Sequence, residues 1–338
     1  MSASYQEWPR APNNRRARRP SRLARWTASR SANMPLAICA MRMRTPLDIT
    51  NAPQLLDDFG SDPPIGRALR ACRTTLRQSM ATAVVSGTGY LGENPLVVLD
   101  YLLRVARVAI LLTLWRTIYA AHAASTPVSA SMPLHALLTY TLIAEVFADQ
   151  LACRTTLDDA VWSGTIIVKF LTPMSTAMQF AAEMAGRWMV NFTLCSLPLL
   201  LLAPLFGIDP RPANGAAGFF FVVSLTLAIA NGLAQEFIFG AGQIMLDLPV
   251  WLVGTLRTAL IALLSGAVIP LALFPAGAGE LFQWLPFASM ASAPLRIYTA
   301  TGDAVPLLLV QAGWVAALCP VAVWSWRSCR EKLVGYEG

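Results

Sequence analysis

The chain has 338 residues, 55% of them hydrophobic and 13% charged, with a net charge of +7. A soluble domain carries about 25% charged residues, so this composition argues against an ordinary soluble enzyme and for a membrane protein. Fourteen of the 26 Lys and Arg residues precede Pro95, and the rest of the chain is close to neutral. A basic flank on an apolar body suits anionic lipid better than nucleic acid, and no nucleic-acid partner is expected. The six cysteines form no C-x-x-C pair and stand at no zinc spacing from a histidine, so neither a disulfide nor a metal role is expected.

Residues 1–64 are rich in Arg, Pro, Ser and Ala without sustained periodicity, and read as a disordered basic extension. From 65 to 80 the pattern changes. Leu69, Cys72, Leu76 and Met80 fall on one helical face, with Arg67, Arg70, Arg73 and Arg77 largely elsewhere. This predicts an amphipathic helix lying in the membrane interface, followed by a linker to residue 95.

The remainder, 96–338, is expected to form one all-α, polytopic membrane domain. Six apolar runs are each about the 20 residues that a crossing needs: 96–121, 133–153, 177–206, 217–242, 250–271 and 304–326. The third is long and contains Pro198 and Pro204, and is expected to be kinked or tilted. The arginines of the first leave open a count of five. Beyond the basic extension, one set of alternate loops carries Arg154, Lys169, Arg327, Arg330 and Lys332, and the other only Arg211 and Arg296. The Lys/Arg bias therefore places both termini in the cytoplasm. The outer segment 274–303 is too apolar for a free loop, and predicts short helices re-entering the outer leaflet, buried in protein.

Residues 158–175 interrupt the apolar pattern between the second and third runs. They carry two acids, a lysine, Gly164 and Pro173. Ile166, Ile167, Phe170 and Leu171 recur at helical spacing, Pro173 stops the helix, and Ser175 or Thr176 can cap the next. A short amphipathic helix at the cytoplasmic surface results, shaped to dock a soluble partner.

Ionisable groups inside spans are functional candidates. Glu145 and Asp149, four apart on the second run, share a face, and Glu236 lies toward the inner part of the fourth. Two readings stand: an acidic lining for cationic substrate, or pairing with Arg104 and Arg107 of the first run. Glu183 and Arg187, also four apart, are expected to pair with each other. Gly240 and Gly242 are expected to allow close helix packing. A P-loop is missing, since neither Lys169 nor Lys332 follows the required glycine pattern. No Ser-His-Asp, Cys-His or metal-ligand set appears, and the chain is expected to be non-catalytic.

Two motifs carry a resemblance. VWSGTIIVKFLTPMS, 161–175, resembles the "IRSGDLDxxLLRPxS" segment that follows the second span in ABC-2 type permease subunits of ATP-binding-cassette exporters. Ser163, Gly164, Phe170, Leu171, Pro173 and Ser175 match, and Trp162 stands where the family has arginine. LLSGAVIPLALFP with LFQWLPF, between 263 and 287, is similar to the family's "SGxxIPxxxFP...LPF" pattern. The resemblance implies an interfacial elbow helix at 65–80 and re-entrant outer helices before the last span. It implies an ATPase-coupling role for Ser163, Gly164, Ile166, Ile167, Phe170, Leu171 and Pro173. A separate ATPase subunit would bind ATP and magnesium, and this chain no cofactor. A second identical or related permease would complete the pathway in a bacterial inner membrane, for a cationic or amphipathic compound. Two other readings are a membrane-embedded scaffold or enzyme, and a secondary transporter, each without an ATPase partner.

Overall fold

The structure, a computed structural model, describes residues 64–93, 97–125, 132–172 and 174–335. The basic extension 1–63 and Pro173 lie outside the described residues. Among those described there is helix and turn but no strand.

The chain runs through α1 (Pro64–Glu93), α2 (Val97–Ser125), α3 (Leu134–Val146) and α4 (Ala148–Ala152). Two short helices follow, α5 (Leu157–Trp162) and α6 (Ile166–Phe170), then α7 (Thr176–Asn191) and α8 (Leu197–Leu202). The long α9 (Gly215–Met245) precedes α10 (Val250–Leu264), the short α11 (Ala278–Gln283) and α12 (Ser292–Tyr298), and finally α13 (Ala304–Gly335).

Among the described residues, three helical runs are long and apolar enough to cross a membrane: Thr176–Phe206, Gly215–Met245 and Ala304–Cys329. They mark the chain as a membrane-embedded helical protein. The other three expected runs take different forms. α2 is long but carries Asp100, Arg104, Arg107 and Arg116. The second run divides at Phe147 into α3 and α4, and α10 has only 15 residues.

The first of the long runs is not a uniform helix. Phe192–Ser196 is a π-turn, α8 follows with Pro198 in its first turn, and Ala203–Phe206 tightens to 3-10 around Pro204. A proline has no N–H to give and its ring collides with the carbonyl four residues back. Widening one turn before Pro198 relieves that collision, as π-bulges do. Ser175 starts the run, its Oγ accepting from the Met178 amide at 3.4 Å.

α9 is the axis of the fold. Asn214 caps it, with Oδ1 accepting from Ala217 N at 2.7 Å. Its 31 residues span about 46 Å at 1.5 Å per residue. Its most extensive partner is α13, and it also touches α4, α10 and α12. Gly240 permits one of the close approaches: a Cβ there would lie 2.3 Å from Leu157 Cδ2, whereas at Gly242 a Cβ would meet nothing within 4 Å. Of the two expected packing glycines, only Gly240 touches a neighbour.

α1 continues as helix to Glu93, well beyond the expected 65–80. Leu76, Met80, Val84 and Val85 are exposed on it. Its small residues face α7: a Cβ at Gly186 would fall 1.9 Å from Ala83 O, and Ser86 Oγ donates to Glu183 O at 3.0 Å. The apolar residues therefore point away from the protein and the small ones toward it, as a helix bordering lipid requires.

Between α11 and α12 the chain turns deep into the body. Asn231 Nδ2 donates to Pro286 O at 2.7 Å, and Asn231 sits about 24 Å along α9 from Gly215 at 1.5 Å per residue. Gln235 Nε2 donates to the same carbonyl at 3.4 Å. Gln311 Nε2, from α13, donates to Ser289 O at 2.8 Å and to Ser224 O at 3.3 Å. Irregular backbone away from water needs such partners, because each bare carbonyl costs free energy. Residues 288–295 are all buried.

Candidate functional site

The segment joining α4 to α7 is built as two short helices around a left-handed glycine. α5 ends at Ser163, whose Oγ donates to Asp159 O at 2.7 Å and lies 2.9 Å from Thr165 Oγ1. Gly164 follows with φ +71°, and a Cβ there would meet nothing within 4 Å. Left-handed backbone costs a side-chain-bearing residue about 1–2 kcal/mol, which explains the glycine without any packing argument.

The expected apolar stripe divides between two faces. Ile166 is 2% exposed and Phe170 is half-buried, its ring centroid 6.5 Å from that of Trp326 in α13. Ile167 and Leu171 are 44% and 81% exposed, and Trp162 and Val168 join them at 78% and 62%. One side of α6 is thus an internal joint, and the other is an exposed apolar face. The joint continues through Phe180 of α7, Phe237 of α9 and Trp326. Trp326 Nε1 donates to Thr176 Oγ1 at 3.0 Å.

Lys169 anchors the same segment. Its Nζ pairs with Glu183 Oε1 at 2.5 Å and lies 4.5 Å from the Phe180 ring centroid. Thr156 Oγ1 donates to Glu183 Oε2 at 2.9 Å. Glu183 therefore serves α5, α6 and, through its carbonyl, α1. This corrects the expected Glu183–Arg187 pair: the segment folds back over α7 and brings Lys169 to the acid, while Arg187 Nη2 is buried without a hydrogen-bond partner. At the start of α5, burial raises the Asp158 carboxyl above its ordinary pKa, against the pull of Arg257 and Arg154.

The candidate pathway acids are each held by an arginine. Arg107 Nη2 pairs with Glu145 Oε2 at 2.9 Å, and Arg104 Nη2 with Asp149 Oδ2 at 3.3 Å. Asn191 Nδ2 also donates to Asp149 Oδ2. Of the two readings of Glu145 and Asp149, the geometry is that of the ion pairs.

Glu236 has a different partner, one that sequence reasoning overlooked. Arg257 of α10 pairs with it at 2.5 Å, the two side chains being 4% and 3% exposed. Glu236 Oε1 accepts from Thr155 N at 3.0 Å and Thr155 Oγ1 at 2.8 Å. Arg257 Nη2 donates to Cys153 O at 3.0 Å and Ala152 O at 3.3 Å. Cys153 is left-handed, φ 47°, so its carbonyl turns out of α4 toward that guanidinium. Four elements meet at this junction: α4, the turn into α5, α9 and α10. An arginine in an apolar run was the available signal.

Comparison with family models, with curated proteins and with solved structures finds no match to the chain.

Proposed function

We propose that the chain is the membrane-embedded permease subunit of an ATP-driven exporter of the ABC-2 type, forming half of a substrate pathway and coupling to a separate ATPase. The observation that carries this reading is the two-sided α5–α6 segment. Trp162, Ile167, Val168 and Leu171 offer an exposed apolar face outside the long runs, while Ile166, Phe170 and Lys169 on the other side touch α7, α9 and α13. A partner that moves the outer face moves three helices directly. Helix-in-groove docking draws on a few apolar anchors of this kind.

In this reading the six crossings are α2, α3–α4, α7–α8, α9, α10 and α13. Both termini and α5–α6 face the cytoplasm of a bacterial cell, and α1 is the interfacial elbow. The outer segment 274–303, with α11 and α12, re-enters the outer leaflet. Glu145, Asp149 and Glu236 hold helices in register through their arginines, and the cationic or amphipathic substrate follows from the motif resemblance alone. ATP and magnesium bind the partner ATPase, and a second permease, identical or related, completes the path.

The test is co-purification, from its own host, of tagged protein with a P-loop ATPase subunit. Ile167→Asp with Leu171→Asp should lower ATPase recovery tenfold or more, with the permease still inserted at wild-type level. Full recovery and normal substrate-stimulated hydrolysis would remove the coupling assignment. Phe170 is unsuited to this test, because a charge there would also disturb its contact with Trp326.

A further inference from the structure

A cavity of about 160 Å³ lies between α1, α4 and α7, lined by Tyr90, Asp149, Arg154, Arg187, Trp188 and Asn191 among others. Water occupies about 30 Å³ per molecule in the liquid, so the space admits a small oxyanion. Asp149 is the one acid among these lining residues, and Arg104 and Asn191 already bind it. Arg154 and Arg187 have no acid within ion-pair distance among the described residues. Arg187 Nη2 is buried without a hydrogen-bond partner, and behind Asp149 so are Nε and Nη1 of Arg104. Buried donors are almost always satisfied, and an orphan signals a missing ligand, ion or water. A guanidinium fork matches a phosphate or carboxylate above other partners.

The position narrows the choice. The cavity sits where α4 ends and the chain turns toward α5. α1, which forms one wall, exposes Val84, Val85 and Leu91, and α7 exposes Met189 beside Trp188. Apolar surface around a cationic hollow suits a head group whose tails remain in the bilayer.

From this geometry we infer an anion site: the phosphate of an anionic amphiphile, seated on Arg187 and Arg154 between α1, α4 and α7. It requires no ATPase partner and is independent of the exporter reading. The shared chemistry is a phosphate monoanion, from a lipid head or free in solution.

The experiment uses the purified full chain in neutral detergent. Dioctanoyl phosphatidylglycerol, dioctanoyl phosphatidylcholine and potassium phosphate are titrated calorimetrically at matched ionic strength. Phosphatidylglycerol should bind at least tenfold tighter than phosphatidylcholine. Arg187→Gln and Arg154→Gln should each weaken it severalfold or more, and Arg187→Lys, which keeps the charge but loses the fork, should fall between. Inorganic phosphate that competes with the same Arg187 dependence assigns the site to free phosphate, and phosphate that fails to compete assigns it to lipid. Equal affinity for the two lipids overturns the inference without reference to any variant. Wild-type affinity in the Arg187→Gln and Arg154→Gln variants overturns it as well.

Discussion

Two breaks in the helical pattern, 162–171 and 284–292, are similarly apolar, yet the first leaves most of its apolar side chains exposed and the second leaves only Trp284 so. In the first, Trp162, Ile167, Val168 and Leu171 are exposed and only Ile166 is fully buried. In the second, every residue from Ala288 to Ser292 is buried, with Met290 at 0% exposure against Cys153 and Met184. The difference lies in who receives the backbone. The first is helical and satisfies its own carbonyls. The second is turn, and its carbonyls go to Asn231, Gln235 and Gln311 on the two longest apolar helices. Apolar composition shows that a loop avoids water or awaits a partner. Side-chain amides at matching depth decide which.

The largest expected effect breaks the anchor beneath the first segment. Arg257→Met leaves Glu236 buried and uncompensated, and should cost about 3–5 kcal/mol in unfolding of the purified protein. Adding Glu236→Met should recover most of that loss, since apolar replacement of a whole buried pair is often neutral. A single variant as stable as wild type would show that the junction is hydrated.

Next comes the second segment. Gln311→Leu strips the donor from Ser289 O and the partner from Ser224 Oγ, which donates to Gln311 Oε1 at 2.7 Å. About 1–3 kcal/mol should be lost. Hydrogen exchange should rise across 284–292 while 162–171 stays at its wild-type rate. Equal rises in both would erase the distinction between the two breaks.

Gly164→Ala tests backbone conformation alone, because no atom lies within 4 Å of the added Cβ. A cost of about 1–2 kcal/mol is expected. Gly164→Asn should cost less, because asparagine visits the left-handed region more readily. Thermal melting of the two variants side by side checks the order.

The smallest effect belongs to the exposed face. Leu171→Asp should change stability by no more than about 0.5 kcal/mol, as surface substitutions do. Phe170→Asp, which loses the contact with Trp326, should cost about 1–3 kcal/mol, since part of a large apolar side chain is unburied. Reversal of that order would exchange the inner and outer faces of α6.

The helical class, the long apolar runs over α7–α8, α9 and α13, the proline-interrupted third run and the polar interruption before α7 were legible in the sequence. Each is a local property: run length, charge spacing, proline and glycine chemistry act within a few residues. The sequence also narrowed Glu145 and Asp149 to two readings, because Arg104 and Arg107 repeat with compatible spacing on the preceding run. Three things were decided only by tertiary structure. Lys169 rather than Arg187 reaches Glu183, because α6 folds back over α7. Arg257 finds Glu236 across 21 residues of sequence, because α10 returns alongside α9. The stripe on α6 divides into joint and outer face, because Trp326 arrives from the far end of the chain to cover Phe170. Helical periodicity shows which residues share a face. Which neighbour covers that face depends on contacts between distant segments, and those exist only once the helices have packed.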